Sequence, residues 1–130
     1  MAHILIIDDD ERIRTLLSRT LENGGHTVAV AHDGKEALRL FDDSVELVVS
    51  DVLMPNMGGL ETIHQLRKRS SSIPIISMSA GAQIRPNEYL RVAGAIGANR
   101  TIAKPFWDWE LLEIISELLS EADAKKSATV

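Results

Sequence analysis

Short, uninterrupted apolar runs alternate with longer amphipathic stretches five times along this 130-residue chain. The first run, His3–Ile7, ends at three consecutive acids, and apolar residues at helical spacing follow it from Glu11 to Asn23. Such apolar runs are typical of strands in a parallel sheet that is buried on both faces. Strands that alternate with helices are joined by right-handed crossovers. The pattern therefore predicts an α/β fold, a three-layer α/β/α domain around a parallel sheet of five strands.

The other elements are predicted from apolar spacing and from residues that start or stop helices. Four further strands are predicted at residues 27–31, 46–50, 73–78 and 101–103. Further helices are predicted to start near Asp33, Gly59, Pro86 and Asp108, with Asp33 and Asp108 as caps. One domain is predicted over residues 1–121, and residues 122–130 are predicted to form a frayed tail.

Composition excludes several classes of function. The net charge of −5 argues against nucleic acid as the main partner, because phosphate binding needs a clustered excess of lysine and arginine. The chain has no cysteine, which excludes disulfides, thiolate zinc sites and cysteine nucleophiles and fits a cytoplasmic location. The four aliphatic residues before Asp8 are too few for a signal peptide or a membrane span, so no membrane insertion is expected.

Reactive side chains follow the ends of four predicted strands. Asp8 and Asp9 follow the first strand, Asp51 the third, Ser79 the fourth and Lys104 the fifth. In open parallel sheets, ligands bind beyond the carboxyl ends of the strands, near the point where the strand order reverses. With the order 2-1-3-4-5, the fifth strand lies two places from the third, roughly 10 Å away. A lysine side chain is long enough to cover most of that gap.

The three carboxylates predict a magnesium site. Like charges as close as Asp8, Asp9 and Asp51 would repel one another unless a cation lay between them. Mg²⁺ prefers oxygen ligands and commonly binds through one or two carboxylates plus a phosphate, and no histidine or cysteine is placed to favour zinc. With Lys104 also neutralising charge, Asp51 is placed to attack a phosphoryl group in line, and Ser79 to hydrogen-bond the product.

Each of these residues alone has an ordinary structural explanation. An acid after a strand is usually a cap or a turn residue, which is the expected role of Asp10. A serine that ends a strand is nearly always structural. The joint placement of acids, a hydroxyl and an amine at four strand ends is what favours a single site.

Four segments resemble the response-regulator receiver domains of bacterial two-component signalling. They are Ile6-Ile7-Asp8-Asp9-Asp10-Glu11, the run from Asp51 through Met54-Pro55 to Gly58-Gly59, Ser77-Met78-Ser79-Ala80, and Ala103-Lys104-Pro105-Phe106. The resemblance covers about residues 3 to 120. It implies the flavodoxin-like (βα)5 fold with a parallel sheet in the order 2-1-3-4-5.

The resemblance also implies roles for individual residues. Asp51 matches the phospho-acceptor, which takes its phosphoryl group from a sensor histidine kinase or a histidine phosphotransfer protein. Asp9 matches the direct metal ligand, Asp8 the ligand that acts through water, and the carbonyl of Leu53 the backbone ligand. Ser79 and Lys104 match the switch hydroxyl and the phosphate-binding lysine. The bond before Pro105 is typically cis in the family.

The chain departs from the family pattern at its expected signalling surface. Thr101 stands where the family has its switch aromatic, three residues before Lys104, and Tyr89 is a possible substitute. The stretch from Ser79 to Lys104 is also longer than the family usually allows. Trp107 and Trp109 flank Asp108, where family members are usually polar. The two tryptophans either anchor a partner or pack inward on their own domain.

Two further expectations concern output and alternatives. The stretch after Leu119 is too short for a helix-turn-helix unit or an enzyme. A stand-alone regulator is therefore expected, which either docks on a downstream target protein or acts as a carrier within a phosphorelay. The alternative is a small haloacid-dehalogenase-type phosphatase, an Mg²⁺ enzyme with Asp8 as its nucleophile and Asp10 as a second acid. That family's pattern leaves Asp51 unexplained. A receiver that docks without phosphorylation is disfavoured because every required group is present, and a flavin-phosphate site is excluded by three aspartates that would repel the ligand.

Overall fold

The computed structural model describes residues 1–52, 58–79 and 97–128. Three predicted features lie outside the described residues: the carbonyl of Leu53, Tyr89, and the helix that was expected to start near Pro86. In the described residues, element boundaries follow the alternation read from the sequence.

The sheet has five parallel strands in the order β2-β1-β3-β4-β5, which confirms the predicted topology. The central position of β1 and β3 agrees with their apolar composition, since both are buried on each face. The strands are β1 (His3–Ile7), β2 (Thr27–Ala31), β3 (Leu47–Asp51), β4 (Ile75–Ser79) and β5 (Arg100–Ala103).

Two strands lie slightly later in the chain than predicted. β4 starts after Pro74, because Pro74 has no N–H to donate and Ile73 is held in the preceding loop by the Ser70 hydroxyl. The ladder between β3 and β4 then extends to the Val52 N–H, which donates to the Met78 carbonyl at 2.9 Å. Asp51 and Ser79 are therefore the last residues of their strands rather than the first residues after them.

The described helices are α1 (Glu11–Asn23), α2 (Gly34–Leu40), α3 (Gly59–Arg69) and α4 (Asp108–Ala128). Asp33 caps α2 as predicted, with its carboxylate accepting from the Glu36 N–H at 2.8 Å. Asp108 was expected to cap the last helix but is its first helical residue. Trp107 takes the cap position, where its N–H donates to the Glu110 carboxylate at 3.0 Å.

The prediction of a frayed tail from Ala122 is wrong as far as Ala128, because α4 continues to that residue. Alanine and lysine make up five of the seven residues from Ala122 to Ala128, and both have high helix propensity. Their small or polar character was misread as a sign of disorder. Among the described helices, none combines the length and the apolar character that crossing a membrane requires.

The core lies in two layers, one on each face of the sheet. On one face, β1, β3, β4 and β5 pack against α1 and α4 through residues that include Ile6, Leu21, Val49, Met78 and Leu111. On the other face, β1, β3 and β4 pack against α2 and α3 through residues that include Leu5, Ala37, Val48, Ile63 and Ile75. The predicted three-layer architecture is confirmed for the described residues.

Candidate functional site

Three carboxylates meet at the carboxyl end of the sheet. Asp8 follows β1 and Asp51 ends β3, and the two strands are neighbours in the sheet. One carboxylate oxygen each from Asp8, Asp9 and Asp51 lies within 4.8 Å of the other two. Asp8 and Asp51 are buried, whereas Asp9 is exposed. The structure thus brings together the three side chains that the sequence assigned to a metal.

Lys104 reaches this cluster from the end of β5. Its Nζ lies 2.8 Å from Asp8 Oδ2 and 3.6 Å from Asp51 Oδ2, and its side chain is 16% exposed. The Lys104–Pro105 peptide bond is cis, as the resemblance implied. The lysine therefore spans the distance that the strand order required and offsets part of the negative charge of two buried acids.

The loop after β1 is fixed by hydrogen bonds that leave little freedom to Asp8. Asp8 Oδ1 accepts from the Asp10 N–H at 2.9 Å, and the Asp8 carbonyl accepts from Arg14 Nη1 at 2.8 Å. The Asp10 carboxylate turns away and caps α1 by accepting from the Arg12 N–H at 2.9 Å. This confirms the expected structural role of Asp10.

Gly59 allows α3 to begin directly against the end of β3. A side-chain carbon at this position would lie 2.3 Å from the Asp51 carbonyl oxygen and 2.3 Å from the Val52 Cα. The Gly59 N–H donates to the Val52 carbonyl at 3.1 Å, which ties the helix to the strand end. The sequence analysis used the glycines only as a helix start. Their adjacency after an acid-terminated strand was the available signal for this close approach.

Ser79 ends β4 beside the acidic cluster. It is fully buried, and its carbonyl accepts from the Lys104 N–H at 2.7 Å, so the ends of β4 and β5 are joined at this point. Within the described part of the chain, neither Ser79 Oγ nor Ser77 Oγ has a hydrogen-bond partner. A buried hydroxyl without a partner is costly, and such groups occur where a ligand completes the bonding.

The predicted signalling residues that lie within the described part of the chain are exposed. Thr101 lies on β5 with its side chain exposed, and Trp107 and Trp109 are 69% and 62% exposed. The alternative that at least one tryptophan packs inward is therefore wrong, and the alternative that they anchor a partner stays a prediction. Phe106 takes that role instead, because it packs against the apolar layer on the α1 and α4 face.

The donor set fits the magnesium ion that the receiver fold implies. Asp8, Asp9 and Asp51 offer hard carboxylate oxygens at a spacing that one small cation can bridge. The group of three contains no histidine or cysteine, which would favour a softer metal. Asp9, the exposed member, borders solvent, where the ion can keep the waters that Mg²⁺ retains.

Comparisons with known proteins agree with this geometry. A family model, the response regulator receiver domain, matches residues 4–116. The chain therefore belongs to the response regulator receiver domain family. Receiver domains are phospho-acceptor signalling domains that take phosphoryl groups from histidine kinases and act on downstream targets.

Individual relatives share this domain within longer proteins. The transcriptional regulatory protein CpxR of Escherichia coli (strain K12) is 42% identical over 120 residues, which make up 92% of this chain and 50% of that protein. Response regulator MprA of Mycobacterium ulcerans (strain Agy99) is 42% identical over 118 residues, or 89% of this chain and 49% of MprA. The chain thus spans about half the length of the curated relatives it matches.

Solved structures share the fold. The chemotaxis protein CheY4 of Vibrio cholerae superposes with a TM-score of 0.80 at 32% identity and covers 91% of this chain and 98% of its own. A CheY-like receiver domain protein from Methanospirillum hungatei JF-1 gives a TM-score of 0.87 at 28% identity, covering 96% and 98%. The order of strands and the two-layer core are those of this fold.

Proposed function

We propose that Asp51 accepts a phosphoryl group, in an Mg²⁺-dependent reaction, from a phosphohistidine on a sensor histidine kinase or a histidine phosphotransfer protein. The observation that supports this proposal best is the position of Asp51. Its carboxylate lies 3.6 Å from Lys104 Nζ and within 4.8 Å of Asp8 and Asp9 oxygens. The neighbouring strand β4 ends at Ser79, whose hydroxyl has no partner among the described residues.

In the proposed step, an Asp51 carboxylate oxygen attacks phosphorus while the phosphorus–nitrogen bond of the donor breaks. The bonding electron pair leaves with the imidazole nitrogen of the donor histidine. Bound Mg²⁺, held by Asp8, Asp9 and Asp51, supplies charge neutralisation for the phosphoryl oxygens. The Leu53 carbonyl is proposed as a further ligand from its motif position alone.

Lys104 and Ser79 then stabilise the acyl phosphate. Lys104 Nζ already sits between Asp8 and Asp51, so a small movement toward Asp51 lets it donate to a phosphoryl oxygen. Ser79 Oγ gains a hydrogen-bond acceptor that it lacks among the described residues. Both residues act by binding and orienting, and neither needs to move a proton.

The output is proposed to be phosphorylation-dependent docking on a downstream protein. Thr101, Trp107 and Trp109 are exposed on β5 and at the start of α4, on the same edge as Lys104. Exposed tryptophans commonly anchor interfaces, which supports this assignment. Tyr89 is included from its sequence position alone. A cytoplasmic location is also part of the proposal and rests on membership of a family that signals with histidine kinases.

The contacts of Asp8 speak against the phosphatase alternative. Both of its carboxylate oxygens are engaged, one with Lys104 at 2.8 Å and one with the Asp10 N–H at 2.9 Å, and its side chain is 1% exposed. Asp10, the second acid of that alternative, caps α1 instead. These contacts favour Asp51 as the nucleophile.

The test is intact-mass measurement after incubation with acetyl phosphate, with and without Mg²⁺. We expect one added phosphoryl group in the wild type with Mg²⁺ and none in Asp51→Asn. Asp10→Asn is the matched control, because asparagine caps a helix as well as aspartate, and it should be modified like the wild type. A mass shift that survives in Asp51→Asn would contradict the proposal, and a turnover assay on small phosphate esters would then test Asp8.

A further inference from the structure

Ser77 carries a buried hydroxyl that the proposed function does not use. It is fully buried, and its Oγ has no hydrogen-bond partner within the described residues. Ser79 shares this property, but a phosphoryl group on Asp51 would complete the bonding of Ser79. Ser77 lies two residues earlier in β4, about 7 Å further from the strand end, so the same phosphoryl group does not reach it.

Ser77 belongs to a row of three hydroxyl side chains that crosses the sheet. Ser50 on β3 is in register with Ser77 on β4, and Ser77 is in register with Thr101 on β5. All three point to the face opposite α1 and α4, because the neighbouring residues in each strand belong to the apolar layer on that side: Val49, Ile76, Met78 and Ile102. The row runs from the residue before Asp51 to an exposed side chain on the last strand of the sheet.

The two ends of this row differ in their bonding. Ser50 Oγ already donates to the Asp51 carbonyl at 3.0 Å. Thr101 is exposed, so its hydroxyl bonds to water in the free protein. Thr101 is therefore the neighbour that can turn toward Ser77 by rotation of a single side-chain bond, without breaking a bond within the protein.

Phosphorylation would engage the ends of the paired strands β4 and β5 at the same time. The Ser79 hydroxyl ends β4 and Lys104 follows β5, and both would bind one phosphoryl group on Asp51. Ser77 lies two residues before Ser79, and Thr101 lies three residues before Lys104. The Lys104 N–H already donates to the Ser79 carbonyl and joins the two strand ends. A displacement of one strand end would therefore displace the other.

We infer that Thr101 and Ser77 form a hydrogen bond in the phosphorylated state that is absent in the free protein, and that this bond carries the state of Asp51 to the exposed edge of β5. The inference rests on the proposed function, since it needs a phosphoryl group on Asp51.

The test is a double-mutant cycle on affinity for a phosphoryl analogue. Beryllium fluoride with Mg²⁺ serves as the probe, and binding is followed by tryptophan fluorescence and checked by calorimetry. Thr101→Val and Ser77→Ala each remove one hydroxyl with little change of shape. A hydrogen bond present only in the bound state predicts roughly three- to ten-fold weaker binding for each single variant.

The double variant distinguishes this bond from independent effects. We expect Thr101→Val with Ser77→Ala to bind as weakly as either single variant, because the one bond can be lost only once. Thr101→Ser, which keeps the hydroxyl, should bind like the wild type. Additive losses, or unchanged affinity in the single variants, would overturn the inference.

The control separates this inference from the proposed function. Asp51→Asn should abolish binding of the probe, and the wild type should take up a phosphoryl group from acetyl phosphate. If the wild type fails both measurements, the proposed function is wrong and the inference falls with it. If the wild type binds the probe and is phosphorylated, and the hydroxyl variants bind the probe with the same affinity, only the inference is wrong.

Discussion

The two ends of the sheet differ in how far their polar groups are satisfied by hydrogen bonds and opposite charges. At the carboxyl end, Asp8 and Asp51 bring two buried negative charges to one lysine, and the Ser79 hydroxyl has no partner among the described residues. At the amino end, the buried polar groups are matched by donors and acceptors. The described residues therefore leave a hydroxyl and part of the negative charge unmatched at the carboxyl end, whereas the polar groups at the amino end bond to one another.

Arg67 shows how the amino end is satisfied. Its guanidinium donates to the carbonyls of Gly97, Ser70 and Ile73 and to Asn99 Oδ1 at 2.6 to 3.2 Å. Burial lowers the pKa of Arg67, yet the group stays charged because an arginine pKa lies far above neutral pH. One side chain from α3 thus ties the segments that precede β4 and β5.

The difference shows that burial alone does not indicate whether a polar group serves stability or function. The number of its hydrogen-bond partners is needed as well. Arg67 is half-buried and Ser79 is fully buried, but Arg67 donates five hydrogen bonds, whereas the Ser79 hydroxyl has no partner among the described residues. Removing a satisfied group should cost stability, whereas removing an unsatisfied group should cost function. The following predictions test this rule in order of expected effect.

The largest effect is expected at Gly59, where the strand end that carries Asp51 meets α3. Gly59→Ala places a carbon 2.3 Å from two backbone atoms that cannot move independently of the site, and we expect a loss of about 3 kcal/mol in the free energy of unfolding. Urea unfolding measures this loss. Gly58→Ala is the control, because a side-chain carbon there meets nothing within 4 Å. Equal stability of the two variants would contradict the described approach of α3 to β3.

Arg67→Met should be destabilising without affecting the site. It leaves several buried carbonyls unpaired, and we expect a loss of about 2 kcal/mol in urea unfolding. Phosphorylation by acetyl phosphate, measured at a temperature where the variant is folded, should be unchanged. Lys68→Met is the control, because Lys68 is exposed on the same helix and should unfold like the wild type. If Arg67→Met impaired phosphorylation in the folded state, the two ends would not be independent.

Ser79→Ala should give the opposite result. Loss of a buried hydroxyl without a partner should leave the free energy of unfolding unchanged or raise it by about 1 kcal/mol. Affinity for beryllium fluoride with Mg²⁺ should fall. Ser50→Ala is the matched control, because Ser50 is equally buried but donates to the Asp51 carbonyl, so its loss should be destabilising by about 1 kcal/mol. A destabilised Ser79→Ala would show that Ser79 is structural.

The smallest effect concerns His26, another satisfied group at the amino end. Its Nδ1 accepts from the Ala2 N–H at 3.1 Å, and burial, followed by the charge of the N-terminus, lowers the pKa of His26 from 6.5. The unfolded chain then binds more protons as pH falls below 6.5. Stability should therefore decline as the pH falls from about 6.5 to the lowered pKa, and the effect should be small because the ring is only partly buried. In His26→Asn this pH dependence of urea unfolding should be reduced, and an unchanged profile would assign it to other groups.

Much of the carboxyl end could be predicted from the sequence, because each site residue is recognised from its position at the end of its own strand. Each of Asp8, Asp51, Ser79 and Lys104 stands at a strand end, and the topology of alternating strands and helices then places the strand ends at one edge. The amino end was not predicted. Arg67 and Asn99 lie 32 residues apart, and no periodic pattern reports that a helix residue reaches the loop before β5.

Other features depended on close contacts that patterns do not record. The need for Gly59 comes from the path of the backbone after Asp51. Both tryptophans are exposed while the neighbouring Phe106 packs against the apolar layer, and the spacing of these three aromatic residues does not indicate which one turns inward. The helix from Ala122 to Ala128 was misjudged because polar composition was given more weight than helix propensity. Close packing therefore decided the first two features, and helix propensity decided the third.

The acceptor itself can be located without any variant. After incubation with acetyl phosphate and Mg²⁺, borohydride reduces an acyl phosphate to an alcohol, which tandem mass spectrometry of the digested protein then assigns to one residue. We predict that reduction converts Asp51 and leaves Asp8, Asp9 and Asp10 unmodified. Reduction at Asp8 with Asp51 intact would contradict the assignment of Asp51 as the phospho-acceptor and would favour the phosphatase chemistry.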